Sequence, residues 1–416
     1  MDALRIRGGK RLKGEWTVQN AKNAALPIMA GAILTEGKTV LRDCPRLSDI
    51  SDMGEILRTL GCGVHRDGGT LEIDPGGLCG YEMPEELSKR IRSSIFLLGP
   101  ILARFRRANV SLPGGCEIGL RPIDLHLSGL RQLGVQMEEE GGVIRCDGRN
   151  MHPATVHFDY PSVGATENIM LISAVSRGET VITNAACEPE IICLQEFLNE
   201  MGADIRGAGS EKIYISGVEK LRKVEYTIIS DRIFAATCAA AAACCGGDVL
   251  LKNTEPSHMR LMLSMLRDAG CRVNCTDDSV RIRACDRLRG LGKIITAPYP
   301  GFPTDAQAPF MSALCTADGT TVFVENIFES RYKHVSELVR MGADIIVDGR
   351  LAVITGCNYI QGARVCASDL RGGAALVVAG LSAIGDTVVD GAEHIDRGYE
   401  KIERVFECIG ATIKRV

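Results

Sequence analysis

The chain has 416 residues, of which 45% are hydrophobic and 24% are charged, and its formal net charge is −4. This length exceeds what one hydrophobic core normally supports, so we expect two domains of about 200 residues each. A mildly acidic chain has no overall attraction for nucleic acid or an anionic membrane. Neither partner is therefore expected, and any anion site must be a local cluster of basic residues.

The 17 cysteines include no Cys-x-x-Cys pair, and residues 1–16 lack the apolar core of a signal peptide. The apolar run at 234–245 is shorter than the roughly 20 residues that a membrane-spanning helix needs. We therefore expect a reduced, soluble, cytoplasmic protein in which most thiols are small core side chains.

A short pattern, in which a helix ends at a glycine and a strand follows, occurs six times along the chain. The glycines are separated by 73, 68, 68, 72 and 68 residues and are Gly61, Gly134, Gly202, Gly270, Gly342 and Gly410. Glycine at this position is typical of a left-handed helix cap, where a Cβ atom would clash. The near-constant spacing predicts one structural repeat made six times.

The first repeat shows the order of the predicted elements. A helix of small residues at 23–32 precedes a strand after Gly37, an amphipathic helix at 49–60 and a hairpin at 64–73. Corresponding elements recur in chain order as the helix 123–133, the strands after Gly178 and Gly319, the helix 332–341, the hairpin 345–354, the helix 374–381 and the strand after Gly385.

The small-residue helices are apolar on all sides, so we expect them to be buried with strands and amphipathic helices outside. The predicted fold class is α/β, as a two-domain inverted (inside-out) α/β barrel. It has six repeats of a βαβαββ-type unit, three in each domain. The predicted domains are residues 22–229 and residues 1–21 with 230–416, because the first segment precedes the first repeat.

Polar residues stand at the start of each predicted buried helix, 37 to 42 residues before the repeat glycine. They are Lys22-Asn23, Arg92-Ser93, Ser162 to Thr166, Asp231-Arg232, Asp305 and Asp369 to Arg371. Helix N-termini carry free N–H groups and partial positive charge, so several of them together predict an anion site. Arg121, Arg331 and Arg397 are placed to join it.

Seven motifs in this order carry a resemblance to a known family. They are Gln19-Asn-Ala-Lys-Asn-Ala-Ala-Leu-Pro27, Ser111-Leu-Pro-Gly-Gly-Cys-Glu-Ile-Gly119, Arg121-Pro-Ile-Asp-Leu-His126, Pro161-Ser-Val-Gly-Ala-Thr166, Phe302-Pro-Thr-Asp305, Asp369-Leu-Arg371 and His394-Ile-Asp-Arg-Gly-Tyr399. Over its whole length the chain resembles the enolpyruvyl transferases that act on UDP-N-acetylglucosamine (the 1-carboxyvinyltransferase family). The resemblance implies transfer of enolpyruvate from phosphoenolpyruvate to the sugar 3′-hydroxyl with release of phosphate, as the first committed step of peptidoglycan synthesis. It implies no metal and no organic cofactor.

The reaction must protonate the methylene of phosphoenolpyruvate and remove a proton from a hydroxyl, so it needs an acid and a base. The resemblance implies that Cys116, in a Pro-Gly-Gly loop, is the proton donor and forms a covalent adduct with phosphoenolpyruvate. A thiol beside arginines is expected to be reactive, and this one should react with the epoxide fosfomycin. Asp305 is expected to act as the base or to orient the sugar hydroxyl, a role compatible with an N-cap.

The resemblance also implies the substrate contacts. Lys22, Arg121 and Arg397 are expected to bind the phosphate of phosphoenolpyruvate, Arg331 and Arg371 its carboxylate, and Asn23 the reacting centre. For the nucleotide sugar the expected contacts are Asn23, Arg92, Arg121, Pro122, Ile123, Asp124, Leu125, Ser162, Val163, Gly164, Asp305 and Ile327. Asp231, Arg232, Glu188 and Glu190 are weaker candidates for contacts made when the two domains close over substrate.

Two other functions remain open from the sequence. One is an enolpyruvyl transferase acting on shikimate 3-phosphate, against which the Cys116 loop and the Ser162 to Thr166 motif count. The other is a non-catalytic paralogue that binds a UDP-sugar without turnover. A monomer that binds only small-molecule substrates is expected.

Overall fold

The computed structural model describes residues 2–111 and 123–416. The strands are β1 (Ala3–Arg7), β2 (Lys13–Thr17), β3 (Thr39–Arg42), β4 (Gly63–Asp67), β5 (Thr70–Asp74), β6 (Arg107–Ser111), β7 (Gln136–Glu140), β8 (Val143–Asp147), β9 (Thr155–His157), β10 (Gly178–Thr183), β11 (Asp204–Arg206), β12 (Lys212–Gly217), β13 (Glu225–Thr227), β14 (Asp248–Lys252), β15 (Arg272–Cys275), β16 (Ser279–Arg283), β17 (Gly292–Ile295), β18 (Thr320–Val324), β19 (Asp344–Asp348), β20 (Leu351–Thr355), β21 (Arg364–Cys366), β22 (Asp386–Asp390) and β23 (Thr412–Arg415).

The α-helices are α1 (Lys22–Gly31), α2 (Ser48–Thr59), α3 (Glu85–Arg90), α4 (Leu98–Phe105), α5 (Asp124–Gln132), α6 (Val163–Ser173), α7 (Pro189–Glu200), α8 (Arg232–Cys244), α9 (Arg260–Asp268), α10 (Thr304–Leu314), α11 (Val335–Arg340), α12 (Leu370–Ser382), α13 (Ala392–Ile395) and α14 (Ile402–Cys408).

The chain divides into two units, each with its own hydrophobic core. The central unit comprises the described residues between Asn20 and Ile229. The terminal unit comprises the described residues up to Gln19 together with Ser230–Val416. Among the described residues, each unit contains three sheets. Helices that are buried on nearly all sides are α1 and α6 in the central unit and α8, α10 and α12 in the terminal unit.

The sheets share one pattern of strand pairing. In the order β17-β18-β20-β19, the first pair is parallel and the next two pairs are antiparallel. The orders β9-β10-β12-β11, β13-β3-β5-β4 and β2-β14-β16-β15 repeat it. The sheet β6-β8-β7 has three strands, and an isolated parallel bridge between Glu82 and Asn109 stands where the others have a fourth.

The last sheet draws strands from distant parts of the chain. Strand β1 lies between β22 and β23, and it is antiparallel to both. Nearby in sequence, β2 pairs with β14 in a second sheet of the terminal unit. The segment up to Gln19 therefore supplies strands to two sheets whose other strands come from beyond residue 230.

The long helices α8, α10 and α12 pack against one another in the core of the terminal unit. Alanine dominates α8, whose residues Arg232–Ala243 are all buried, because only small side chains allow helices to approach closely on several faces. The burial of the small-residue helices agrees with the prediction. In contrast, strands such as β18 alternate between buried and more exposed residues and bury one face.

The six repeat glycines adopt the conformation that the sequence predicted. Their φ angles lie between +84° and +105°, a region that favours glycine, and each follows the last turn of a helix. Two helix starts differ from expectation. The segment at Arg92 begins as a 3₁₀ turn before α4, and α11 begins at Val335, three residues later than predicted. Pro100 sits in the first turn of α4, the part of a helix that tolerates proline.

Candidate functional site

Asp305 binds two buried arginines in the terminal unit. Its Oδ1 atom accepts a hydrogen bond of 2.6 Å from Nη2 of Arg331, and its Oδ2 atom accepts one of 3.1 Å from Nη2 of Arg371. The arginine side chains are 3% and 4% exposed, whereas the Asp305 side chain is 25% exposed. The structure therefore brings together three of the predicted site residues, with the carboxylate on the more accessible side.

The first turn of α12 fixes Arg371 at its backbone. The Asp369 carboxylate caps the helix and accepts from the backbone N–H groups of Arg371 (3.1 Å) and Gly372 (3.0 Å). Burial opposes the charge of Arg371, but the Tyr399 hydroxyl and the carboxylates of Asp305 and Asp231 outweigh it and raise its pKa. Arg371 is therefore a permanently charged group at a fixed position.

Both arginines keep an unused donor. The Nε atoms of Arg331 and Arg371 are buried and have no hydrogen-bond partner among the described residues. An unsatisfied buried donor on a charged group costs at least about 1–3 kcal/mol. The two arginines therefore have donors left over after binding the Asp305 carboxylate, and these donors are available to a bound anion.

Glu325 fixes the loop that carries Ile327. Its Oε1 atom accepts from the backbone N–H groups of Ile327 (2.8 Å) and Phe328 (3.1 Å), and its Oε2 atom accepts from the Thr304 hydroxyl (2.9 Å). Since Thr304 begins α10, this buried carboxylate ties the predicted sugar contact Ile327 to the helix that carries Asp305.

His334 is buried between the segments that carry Arg331 and Arg371. It is 2% exposed, and neither ring nitrogen has a hydrogen-bond partner among the described residues. A Cβ atom on Gly372 would lie 3.1 Å from the Cβ of His334, so the His334 side chain begins close to the first turn of α12. Burial lowers the pKa of His334 to about 4, Asp369 acts in the opposite direction, and the charge of Arg331 adds to the lowering.

This depressed pKa predicts a loss of stability in acid. Between pH 6.5 and 4 the unfolded chain binds a proton at His334 that the folded chain does not, so the stabilisation present above pH 6.5 is lost as the pH falls. The expected loss from this residue is about 2 kcal/mol at pH 5. In His334→Leu, which removes the titrating ring, the calorimetric stability should fall less between pH 7.5 and pH 5 than it does in the wild type. Equal pH dependence in the two proteins would contradict the assignment.

In the central unit, Lys22 begins α1 and pairs with Asp49. Its Nζ atom donates to Oδ2 of Asp49 at 2.9 Å, and the two side chains are 10% and 3% exposed. Asn23, the next residue, is exposed. Lys22 is thus a buried cation at a helix N-terminus, where the helix adds partial positive charge.

The N-terminus of α6 also has the features of an anion site. Ser162 caps the helix by accepting from the Ala165 N–H at 3.4 Å, and Ser162, Val163 and Gly164 are half-buried. A Cβ atom on Gly164 would lie 3.0 Å from the His126 ring, so glycine allows this close approach. The free N–H groups of the first turn suit a diphosphate.

Hydrogen bonds of Asn168 join α6 to His126 in α5 and to the segment that leads into α4. Nδ2 of Asn168 donates to Nδ1 of His126 (2.7 Å) and to the Ile95 carbonyl (2.9 Å), and its Oδ1 accepts from the Gly99 N–H at 3.0 Å. Burial, helped by the nearby charge of Arg92, lowers the pKa of His126 to about 3. A neutral imidazole is therefore built into the wall beside Gly164.

Glu167 is a fully buried carboxyl group in the same helix. Neither of its oxygens has a hydrogen-bond partner among the described residues. Burial, followed by the charges of Glu190 and Glu188, raises its pKa well above the usual value. Glu167 therefore binds a proton more readily than an exposed carboxyl group does, and it lies near two residues that the sequence proposed only as weak candidates.

The remaining predicted residues are placed as follows. Ile123 is buried, Asp124 exposed and Leu125 half-buried at the start of α5, and Arg92, Ile327 and Arg397 are half-buried. Asp231 caps α8, followed directly by Arg232. Cys116, Arg121 and Pro122 lie outside the described residues. Residues that sequence reasoning did not assign are Glu325, His334, His126, Asn168, Glu167 and Tyr399, of which only His126 and Tyr399 lay in a quoted motif.

No group of three or more His, Cys, Asp or Glu side chains in residues 2–111 and 123–416 has a metal-binding arrangement. Within the same ranges, no helix has both the length and the apolar character needed to cross a membrane.

Comparisons with known proteins give a consistent result. A family profile described as EPSP synthase (3-phosphoshikimate 1-carboxyvinyltransferase) matches residues 6–406. UDP-N-acetylglucosamine 1-carboxyvinyltransferase 2 of Caldanaerobacter subterraneus is 51% identical over 416 residues, covering all of both chains. UDP-N-acetylglucosamine 1-carboxyvinyltransferase of Desulfatibacillum aliphaticivorans is 46% identical, again over the full length of both.

Solved structures extend this result to the fold. The enolpyruvyl transferase NikO of Streptomyces tendae matches all of this chain and 99% of its own with a TM-score of 0.90 at 25% identity. EPSP synthase of Acinetobacter baumannii matches 100% of both chains with a TM-score of 0.76 at 19% identity, which bears on the fold alone. The α/β fold of the enolpyruvyl transferases is therefore confirmed for this chain.

Proposed function

We propose that this chain, which belongs to the EPSP synthase family and within it to the UDP-N-acetylglucosamine 1-carboxyvinyltransferases, transfers enolpyruvate from phosphoenolpyruvate to UDP-N-acetylglucosamine. The acceptor is the 3′-hydroxyl of the sugar, and phosphate is released. As a transferase of this type it acts in peptidoglycan synthesis, and hence in cell-wall biogenesis. Phosphoenolpyruvate and the nucleotide sugar are its small-molecule substrates.

The observation that supports this function most strongly is the arginine pair around Asp305. Arg331 and Arg371 are buried, charged and already arranged to bind one carboxylate group from two sides. Their unused Nε donors add to that capacity. A carboxylate is the feature of phosphoenolpyruvate that distinguishes it from a simple phosphate ester, so this pair is the proposed site for it.

The phosphate of phosphoenolpyruvate is assigned to Lys22, Arg121 and Arg397. Lys22 suits this role because its buried ammonium group stands at the N-terminus of α1. Asn23, at the second position of the same helix, is assigned to the reacting centre. These groups stabilise the charge of the leaving phosphate, which is where negative charge accumulates during the reaction.

The nucleotide sugar is assigned to the α6 N-terminus and the start of α5. Ser162 offers a hydroxyl to the diphosphate, and Val163 and Gly164 offer backbone N–H groups. The position of these residues at the N-terminus of α6, which Ser162 caps, supports this assignment. Ile123, Asp124 and Leu125 are assigned to the uracil, together with Arg121 and Pro122, and Arg92 is assigned to the same substrate. Ile327 and Asp305 are assigned to the sugar.

Asp305 is proposed to accept the proton of the 3′-hydroxyl, and Cys116 to donate a proton to the methylene carbon. Support for Asp305 comes from its partial exposure beside the carboxylate-binding arginines. Support for Cys116 comes from its place in the Ser111-Leu-Pro-Gly-Gly-Cys motif. We propose that its sulfur also forms a covalent adduct with phosphoenolpyruvate. The proposed reaction uses no metal and no organic cofactor.

We also propose the finer architecture and setting. The recurring strand order supports a two-domain inverted (inside-out) α/β barrel with six repeats of a βαβαββ-type unit, three in each of the domains 22–229 and 1–21 with 230–416. The enzyme is proposed to work as a cytoplasmic monomer that binds neither nucleic acid nor membrane.

One assay tests the function directly. The purified enzyme should release phosphate from phosphoenolpyruvate when UDP-N-acetylglucosamine is present, and fosfomycin should stop the release. Phosphate release with shikimate 3-phosphate and none with the UDP-sugar would replace this function by the related one. Tight binding of the UDP-sugar with no phosphate release would indicate a non-catalytic paralogue.

Substitution of Cys116 tests the proposed acid. Cys116→Ser should lose fosfomycin labelling and lower turnover about 100- to 10,000-fold, because a serine hydroxyl is a far weaker acid than a thiol. Binding of UDP-N-acetylglucosamine, followed by calorimetry, should stay within about twofold. Cys408→Ser, which changes an exposed thiol at the end of α14, is the matched control and should retain both labelling and turnover. Normal turnover in Cys116→Ser would remove this residue from the mechanism.

A further inference from the structure

Tyr399 is a buried aromatic residue that contacts Arg371 in two ways. It is 1% exposed and lies in the segment between α13 and α14. Its hydroxyl oxygen accepts from Nη1 of Arg371 at 3.1 Å, and the guanidinium carbon lies 5.4 Å from the ring centroid. Arg371 thus binds Asp305 through one terminal nitrogen and Tyr399 through the other.

The direction of the hydrogen bonds beyond Tyr399 follows from counting protons. Thr237 Oγ1 lies 2.8 Å from the Tyr399 hydroxyl, and it is also within hydrogen-bond distance, 3.0 Å, of the Ile233 carbonyl. A carbonyl only accepts, so the single proton of Thr237 is used there. The Tyr399 hydroxyl therefore donates to Thr237, and its oxygen stays available to accept from Arg371.

This arrangement anchors Arg371 to a second buried helix. Thr237 and Ile233 belong to α8, whereas Arg371 belongs to α12. The chain of contacts gives the Arg371 guanidinium a second acceptor, at the terminal nitrogen that does not bind Asp305. Without that acceptor, the buried guanidinium would have an unsatisfied donor and would be held by Asp305 alone.

Gln19 holds the backbone on both sides of Tyr399. Its Nε2 atom donates to the Gly398 carbonyl at 3.0 Å, and its Oε1 atom accepts from the Glu400 N–H at 2.9 Å. The side-chain amide therefore pairs with this segment as a neighbouring strand would. Arg397 immediately precedes Gly398, so the same pair of hydrogen bonds limits the movement of Arg397.

We propose that Tyr399, held by Thr237 and Gln19, is a positioning residue that fixes Arg371, and through its own segment Arg397, to receive phosphoenolpyruvate. This inference rests on the proposed function, in which Arg371 binds the carboxylate and Arg397 the phosphate of that substrate. It assigns a role to three side chains that do not touch the reacting atoms. Loss of this positioning should therefore raise the KM for phosphoenolpyruvate and leave the KM for the nucleotide sugar unchanged.

Tyr399→Phe tests the hydroxyl while keeping the ring. We expect the KM for phosphoenolpyruvate to rise about tenfold, because one donor of Arg371 loses its acceptor. The KM for UDP-N-acetylglucosamine should stay within about twofold. The control is Tyr226→Phe, which removes a buried hydroxyl that bonds to the Cys193 carbonyl in the central unit. It should disturb stability to a similar extent and leave both KM values unchanged.

Thr237 provides a second, independent test through a double-mutant cycle. Thr237→Val should raise the KM for phosphoenolpyruvate about threefold, and Thr237→Ser should restore it. Because Thr237 acts only through the Tyr399 hydroxyl, the double variant should match Tyr399→Phe within about twofold. If the increase in the KM for phosphoenolpyruvate in the double variant equals the product of the two single increases, the proposed chain of contacts is wrong.

The outcomes separate this inference from the function on which it rests. An unchanged KM for phosphoenolpyruvate in Tyr399→Phe, or equal changes for both substrates, overturns the positioning role. Failure of the wild-type enzyme to release phosphate overturns the function instead. In that case calorimetric titration with phosphoenolpyruvate alone decides the inference, since Tyr399→Phe should weaken this binding about tenfold and Tyr226→Phe should not.

Discussion

Asp305→Asn is expected to bind phosphoenolpyruvate more tightly than wild type while turning over about 100 to 10,000 times more slowly. The loss of turnover follows from removing the proposed base, at the usual size of such effects. The gain in affinity follows from the two arginines. Arg331 and Arg371 donate to the Asp305 carboxylate, and the substrate carboxylate needs the same donors.

The expected gain is about tenfold in the dissociation constant, because an amide competes less strongly than a carboxylate for a guanidinium. Calorimetric titration with phosphoenolpyruvate in the absence of the sugar measures it. Phosphate release measures turnover in parallel. Weaker binding by the variant would show that Asp305 supports the substrate carboxylate instead of competing with it.

A matched control for this experiment lies on the surface of the same unit. Asp248 is also a carboxylate between two arginines, Arg281 at 2.8 Å and Arg283 at 3.2 Å, but the arginine side chains there are about half exposed. Asp248→Asn should change neither turnover nor affinity. This variant therefore measures how the loss of an arginine-paired carboxylate affects turnover and affinity at a position that is not assigned to substrate binding.

Lys22→Met is expected to lose both stability and activity. Methionine removes the ammonium partner from the buried Asp49 carboxylate, and breaking such a buried pair costs about 3–5 kcal/mol. The proposed phosphate contact is lost at the same time, so the KM for phosphoenolpyruvate should rise at least about tenfold. Calorimetric unfolding and the phosphate assay measure the two effects separately.

A second substitution separates the two roles of Lys22. Adding Asp49→Asn removes the buried charge, so the double variant should regain most of the lost stability but none of the activity. Recovery of activity along with stability would show that Lys22 serves only the fold. Lys38→Met is the matched control, since Lys38 and Glu72 form an exposed pair at 3.0 Å that should contribute less than about 1 kcal/mol.

The parts of the fold that the sequence predicted are those that local chemistry determines. The six glycines predicted the helix ends because a left-handed cap depends on a single residue type. Asp231 and Asp369 marked the starts of α8 and α12, where their side chains accept from backbone N–H groups. The buried helices followed from runs of small apolar residues.

Contacts between distant residues were not predictable in this way. Asp305 and Arg371 are 66 residues apart in sequence and meet only because α10 and α12 pack side by side. The sequence placed both at helix starts but did not show that they share hydrogen bonds. Tyr399, His334 and Glu325 escaped notice because a single buried polar residue produces no periodic pattern.

The position of β1 between β22 and β23 has a consequence for how the chain folds as it is synthesised. The described residues of the central unit all lie between Asn20 and Ile229, so this unit can fold once they have left the ribosome. The final sheet of the terminal unit cannot form until β23 has been made. The residues of β1 are translated before the central unit, and they must therefore wait without their partners until β22 and β23 have been made.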